Sequence, residues 1–407
     1  MKLLILSQYF PPEVGAPQNR LYEIAERLNQ DSEIEVDVLT AMPNYPSMKI
    51  HDAYKGKWWH HEKIGSLNVF RAWIFVSESK SILFRLFNYF SFVFTSLWFG
   101  WAKLKMYDVI LVESPPLFLG ISAYLLCKLK GAKMIFNVSD LWPESAEKLG
   151  LVTNKTVLSL TTKLEEFMYQ KSELITGQTQ GIVKNIKGRF PNKDVYWLPN
   201  GVDTSKLNRE EITSDFRKVN GFDESDFLLL YAGIIGHAQG LELILNAAQA
   251  IENPAVKFLL VGSGPVKEDL IQLKKQMALE NVFFFDAVSK KEIPNIVKAC
   301  DVALVPLKKL DLFKGAIPSK VFENLAMEIP VLLGVEGEAK SLFIDQGNAG
   351  WFFEPENTNQ LVEKINYIVA HPEEVIEKGK NGRVYVSEFF ERSKLANQFA
   401  EKLKTLN

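Results

Sequence analysis

The sequence predicts an α/β protein of two parallel-sheet domains in succession, and three observations predict it. Short aliphatic runs bounded by glycine, proline or polar turns alternate with stretches of helical period, as where Lys2–Ser7 leads to a helix through Leu21, Ile24, Ala25 and Leu28. This alternation halts at the turn Pro199-Asn-Gly-Val-Asp203 and the polar stretch Thr204 to Asp226, then restarts at Phe227–Ala232. The 407 residues are too many for one ordinary core and enough for two.

Composition narrows the class. With 47% hydrophobic and 24% charged residues and a net charge of -2, the chain reads as ordered and globular, with no electrostatic footprint for nucleic acid. Cys127 and Cys300 lie far apart in apolar settings, which suggests neither a disulfide framework nor a zinc site and fits a reducing cytoplasm. Met1 to Gln8 lacks the long apolar core of a signal peptide and reads as a first buried strand.

In the first half, the loop Tyr9 to Arg20 follows the first strand, and its Gly15 and Ala16 are small enough to let a phosphate or sugar approach the backbone. Ile34–Thr40 and Asn68–Trp73 are further strands, separated by a long loop, Met42 to Gly65, of a length usual for functional or mobile loops. His60 and His61 in that loop read as a surface pair. Ser81 to Ala102 reads as a helix. Its 17 uncharged residues between Arg85 and Lys103 reach the short limit for a bilayer span, but a crossing would split the sheet shared by the strands on either side. That helix is either core or an in-plane membrane contact, with aromatic residues at the headgroup level. Asp108–Val112 ends at Glu113, and Lys133–Val138 leads to Ser139-Asp-Leu-Trp-Pro-Glu144. An acid at a strand's carboxyl end beside tryptophan suits a polyhydroxylated acceptor, so Asp140 is the candidate orienting residue or base, with Trp142 and Glu113 beside it. The competing reading of Asp140 is the N-cap of a short helix. Ser172–Thr176 and Asp194–Leu198 complete this half.

The second half opens with Phe227–Ala232 and the loop Gly233-Ile-Ile-Gly236-His237-Ala-Gln239-Gly240 before a helix, an arrangement that cradles anions. Lys257–Val261 precedes Gly262-Ser-Gly264-Pro265. A dinucleotide fingerprint fails there because Lys267 holds the third glycine's place. Val282–Phe285 and Asp301–Val305 are strands. Lys320 to Glu328 is a helix with Ser319 as N-cap, and Pro330 breaks it before Val331–Leu333. A lysine in the first turn opposes the helix dipole unless an anion sits there. The spacing therefore predicts a diphosphate at Lys320 and a ribose at Glu323, against the alternative of an i,i+3 pair on a solvated face. From Asn357 to Leu406 the chain reads as helical, with breaks at Pro372 and near Gly382 and a last helix over Phe389–Leu406.

The run Pro318-Ser-Lys-Val-Phe-Glu-Asn-Leu-Ala-Met-Glu-Ile-Pro-Val331 resembles the donor-binding signature of family 4 glycosyltransferases, and Pro199–Asp203 and Asp140–Glu144 are similar to other motifs of that family. The resemblance implies the GT-B fold: two Rossmann-like domains facing across a cleft, 1–199 with 386–407 for the acceptor and 200–385 for the nucleotide sugar. It implies retaining transfer from a donor, UDP-linked in expectation, contacted by Gly15, Ala16, Gly233, Gly236, His237, Gln239, Gly262, Val288, Ser319, Lys320, Glu323 and Asn324. Three departures stand out. The family's earlier glutamate is Gly315 here, so backbone N–H groups of Gly315 to Ile317 would contact the donor sugar. Its Arg/Lys pair is Ile234 and Gln239, and the second glycine of its first loop is Ala16.

Within that family the chain is similar to bacterial O-antigen and capsule N-acetyl-L-fucosamine transferases. This similarity implies an undecaprenyl-diphosphate-linked saccharide as acceptor, Asp140 and Lys320 as catalytic residues, and a cytoplasmic enzyme peripheral on the inner membrane, touching it through Ile82–Ala102. No Asp-x-Asp occurs, so no metal or other cofactor is expected. A sugar-nucleotide epimerase and a non-catalytic nucleotide-sugar-binding subunit are the alternatives.

Overall fold

The computed structural model describes every residue except Val14, Pro46, Ser47, Lys80, Leu151 and Asn407, and every described side chain except those of Ala16 and Ile82. The contact expected of Ala16's side chain therefore lies outside the described residues. The chain divides into two compact units, Met1–Asn200 with Arg392–Asn407, and Gly201–Glu391.

The first unit runs β1 (Lys2–Leu6), α1 (Ala16–Leu28), β2 (Glu35–Ala41), β3 (Trp59–Ile64), β4 (Leu67–Ala72), α2 (Ile82–Lys103), β5 (Val109–Ser114), α3 (Leu119–Lys130), β6 (Lys133–Val138), α4 (Glu144–Lys148), α5 (Lys155–Lys171), β7 (Leu174–Gly177), α6 (Gln180–Arg189) and β8 (Val195–Trp197). Its sheet has the order β3-β4-β2-β1-β5-β6-β7-β8. Only the β3–β4 pair is antiparallel. The central strands are unbroken aliphatic runs because both faces of the sheet are covered. Phe92, Leu119, Leu126 and Met168 pack on one face, and Leu21, Ile24, Phe399 and Leu403 on the other.

The second unit runs α7 (Phe216–Asn220), β9 (Phe227–Ala232), α8 (Glu242–Ala250), β10 (Val256–Val261), α9 (Lys267–Gln276), β11 (Val282–Phe285), α10 (Ile293–Ala299), β12 (Val302–Pro306), α11 (Lys320–Ala326), β13 (Val331–Gly334), α12 (Glu338–Lys340), β14 (Gly350–Phe352), α13 (Thr358–Ala370) and α14 (Pro372–Phe389). Its six strands, all parallel, lie in the order β11-β10-β9-β12-β13-β14. The last helix, α15 (Arg392–Lys404), belongs to the first unit, where Phe399 and Leu403 are buried beside α1 and Lys404 pairs with Asp31 and Glu33.

Four expectations are corrected. The long loop from Met42 contains β3, a strand hidden in the sequence by its charged residues; His61 there stacks on Phe70 at 4.6 Å. β14 was not expected at all. The helix is not broken near Gly382: α14 runs through it, and a Cβ at Gly382 would lie 2.6 Å from Leu325, so glycine permits close packing rather than a bend. The final helix starts at Arg392 instead of Phe389, because Phe390 is a core residue of the second unit, 5.1 Å from the ring of Phe322.

Candidate functional site

An open parallel sheet leaves a crevice where neighbouring loops leave in opposite directions, and here that happens twice. In the second unit the switch falls between β9 and β12. The loop after β9 holds Gly233, and the segment after β12 leads into α11, whose first residue is Lys320. The two meet closely: a Cβ on Gly233 would lie 3.0 Å from Lys320 Nζ and 3.3 Å from its Cε. Gly233 has φ +144° and Gly262 φ +151°, and a Cβ on Gly262 would fall 1.9 Å from the Gly233 carbonyl oxygen. Glycine at both positions thus lets the ends of β9 and β10 touch backbone to backbone, and Gly233 N–H donates to Val261 O at 2.9 Å.

Lys320 is the notable group of this crevice. Its ammonium sits 3.6 Å from the centroid of the Tyr231 ring. Among the described residues it has no hydrogen bond or ion pair, and neither has the Glu323 carboxylate. The i,i+3 pair weighed from the sequence is therefore not made. Burial with no counter-ion pulls the Lys320 amine down to about 7, with Glu323 opposing the shift, although the side chain as a whole is only half-buried. An unpaired, partly desolvated cation beside an open glycine loop is arranged for an arriving anion.

The helix tip contributes less than the sequence suggests. α11 has seven residues, and Ser319 is itself helical and makes no side-chain cap. The anion-attracting element is the ammonium instead. Val321, Phe322, Leu325 and Ala326 are buried and fix α11 against the sheet, as their spacing implies. Asn324 is buried too, and its amide donates to Lys320 O at 2.9 Å, so it braces the helix rather than facing a ligand. Of the main-chain donors expected around Gly315, Ala316 N–H already bonds Phe313 O at 3.0 Å.

Gly236, His237 and Gln239 lie in the β9 loop, with His237 exposed and Gln239 half-buried. Val288 is exposed beyond the end of β11. Lys267, in the slot of the missing third glycine, is a strut: its ammonium donates to Gly262 O and Phe285 O, both at 2.9 Å, and pairs with Asp286 at 2.7 Å. Sequence reasoning missed Tyr231. The available signal was a lone aromatic closing the aliphatic run Leu228-Leu-Leu just before Gly233.

In the first unit the switch falls between β1 and β5. Gly15 precedes α1, and Glu113 ends β5. Glu113 does not point to an acceptor as expected. It is buried, accepts from Arg20 Nη2 through both oxygens at 3.0 Å, and also accepts from Asn137 and Ser139. Arg20 Nη2 also donates to Ser139 Oγ at 2.9 Å, which ties α1 to the end of β6.

Asp140 comes next in the chain. Ser145 Oγ donates to its Oδ2 at 2.7 Å, and burial raises its carboxyl above the ordinary value despite this bond and one from the Leu141 N–H. It does not cap α4, whose N-cap is Pro143. Trp142 is half-buried, its ring 5.8 Å from that of Phe118, so much of the indole serves packing. Among the described residues no group of three His, Cys, Asp or Glu side chains could hold a metal ion.

Residues 213–385 match the family described as "Glycosyl transferases group 1". Over 413 aligned residues, 99% of this chain and 100% of the relative, the sequence is 25% identical to WcaI of Escherichia coli (strain K12), named as a colanic acid biosynthesis glycosyl transferase. It is 26% identical to WbjE of Pseudomonas aeruginosa, named as a glycosyltransferase, over 66% of this chain and 67% of that one. Among solved structures, sucrose-phosphate synthase from Thermosynechococcus elongatus superposes with a TM-score of 0.76 at 16% identity, covering 100% of this chain and 98% of that one. Anabaena HepE in complex with UDP and glucose gives 0.72 at 16%, covering 100% of both. The fold of those neighbours, GT-B, is the fold of this chain.

Proposed function

We propose that this glycosyltransferase, a GT-B enzyme of surface polysaccharide biosynthesis, retains configuration as it moves a sugar from a nucleoside-diphosphate donor to a lipid-linked saccharide. UDP-N-acetyl-L-fucosamine is the donor and an undecaprenyl-diphosphate-linked saccharide of O-antigen or capsule synthesis the acceptor. The enzyme works in the cytoplasm against the inner membrane, which Ile82–Ala102 touches.

One observation carries the donor assignment: the unpaired Lys320 ammonium beside Gly233. A diphosphate there would receive the cation and N–H groups of the β9 loop other than those of Gly233, Ile235 and Gln239, which are already bonded, and Glu323, with no hydrogen bond or ion pair among the described residues, would accept from ribose hydroxyls. As the glycosidic bond to the donor breaks, negative charge grows on the leaving diphosphate, and Lys320 stabilises it without a metal ion. Asp140, its carboxyl raised by burial, orients the attacking hydroxyl and receives its proton. Gly15, Gly236, His237, Gln239, Gly262, Val288 and Ser319 complete the donor's surroundings in this reading.

The test is a transfer assay with purified enzyme, sugar nucleotide and lipid-linked acceptor. Acceptor-dependent release of nucleoside diphosphate is expected, with Asp140→Asn keeping donor binding and losing turnover. Interconversion of the donor without acceptor would instead mean an epimerase, and donor binding with no turnover on any acceptor a binding subunit.

A further inference from the structure

Helix α2 is amphipathic in the wrong direction for a soluble surface. Its uncharged polar residues Asn88, Thr95 and Ser96 face inward: Asn88 donates to Phe75 O at 2.6 Å, Thr95 to Trp73 O at 2.5 Å, and Ser96 lies 2.8 Å from Ser122 of α3. Its outward positions Leu83, Phe87, Phe90, Phe94, Trp98 and Trp101 are 45 to 68% exposed. They recur every three or four residues and so form one stripe along 22 residues, about 33 Å of helix. Neighbouring α3 continues the apolar surface with exposed Leu125 and Leu129. A stripe of this size on an otherwise well-packed unit marks an interaction surface.

Charge says what covers it. Residues 82–107 contain no Asp or Glu, and neither does α3. Arg85, Lys103 and Lys128 are exposed on these helices, and among the described residues none of the three makes an ion pair. A second copy of the chain fits poorly, because a two-fold contact would set this acid-free face against itself and cations could meet only cations. An anionic lipid surface meets both requirements, with acyl chains for the aromatic stripe and headgroups for the cations.

We infer that the first unit docks on an anionic phospholipid bilayer through α2 and α3 together, α2 lying in the plane of the headgroups. This rests on the membrane contact proposed above and deepens it by naming the lipid class and the second helix. It is tested apart from transfer, with no sugar nucleotide or acceptor present.

The experiment is co-sedimentation of the full chain with vesicles of phosphatidylglycerol and phosphatidylethanolamine, and separately of phosphatidylcholine alone. Wild type is expected on the anionic vesicles only. Phe94→Glu with Trp98→Glu should lower the partition coefficient by about tenfold or more, and Lys103→Gln with Lys128→Gln by a smaller factor. All these side chains are exposed, so the thermal midpoint should hold and any misfolding would be visible in it. Equal binding by the glutamate variant, or binding indifferent to lipid charge, overturns the inference. So does a wild type that ignores vesicles but sediments as a dimer dissociated by the same substitutions.

Discussion

The two sheets reverse direction at equivalent places, and each switch point holds one buried or half-buried cation, but the cations are treated in opposite ways. In the first unit Arg20 is sealed in and its charge is met by Glu113, with Asn137 and Ser139 completing the acid's bonds. In the second unit Lys320 rests on the Tyr231 ring and, among the described residues, makes no ion pair, Glu323 acting on it only from a distance. A cation carrying its own counter-ion holds elements together. One left without it pays a desolvation cost that an aromatic ring offsets only in part and an anionic ligand can offset further. Position at a switch point is therefore weak evidence for binding, and the missing partner is stronger evidence.

The largest effect that would break this contrast is on stability. Glu113→Gln leaves the Arg20 guanidinium buried and uncompensated, and we expect a loss of about 3–5 kcal/mol, read by urea denaturation. The double variant Arg20→Met/Glu113→Leu should lose much less, because both charges leave together. If Glu113→Gln unfolds at the wild-type urea concentration, the first-unit cluster is not structural as described.

Next comes donor binding. Lys320→Ala removes a charge-assisted contact to the diphosphate, worth about 1.5–3 kcal/mol, so affinity for the sugar nucleotide should drop by roughly 10- to 100-fold in calorimetry. The ligand-free variant should melt at or above the wild-type temperature, the reverse of Glu113→Gln. A lowered midpoint in Lys320→Ala would mean that the ammonium has a stabilising partner beyond the Tyr231 ring, and the contrast between the two units would collapse.

Much of this fold was legible beforehand and much of the site was not, for physical reasons. Both parallel sheets could be read because strands covered on both faces must be continuous aliphatic runs, as in Leu3–Leu6 and Leu228–Tyr231. β3 escaped because an edge strand tolerates His60, Glu62 and Lys63, which look like loop residues. Lys320 stood out because a lysine in a first helical turn conflicts with the dipole. Its actual neighbour, Tyr231, lies 89 positions earlier, and no local pattern joins them. Glu113 was misassigned for the same reason: an acid ending a strand looks alike whether it meets a ligand or a buried arginine contributed by a distant helix.

The smallest effect is the most diagnostic of how Lys320 is held. Its amine titrates near 7 in the folded protein against an ordinary 10.5, so between those values the unfolded chain binds more protons, and Lys320 makes ligand-free stability rise with pH across that window. Donor binding has the opposite sign. A diphosphate favours the ammonium form, so above pH 7 binding must take up a proton, and affinity should weaken by up to about tenfold per pH unit, equivalent to about 1.4 kcal/mol. Calorimetry in two buffers of different ionisation enthalpy would register that proton directly at pH 8. In Lys320→Ala both the uptake and the slope should vanish. A wild-type donor affinity that stays flat from pH 6.5 to 9 would mean that the Lys320 amine is not the group meeting the diphosphate.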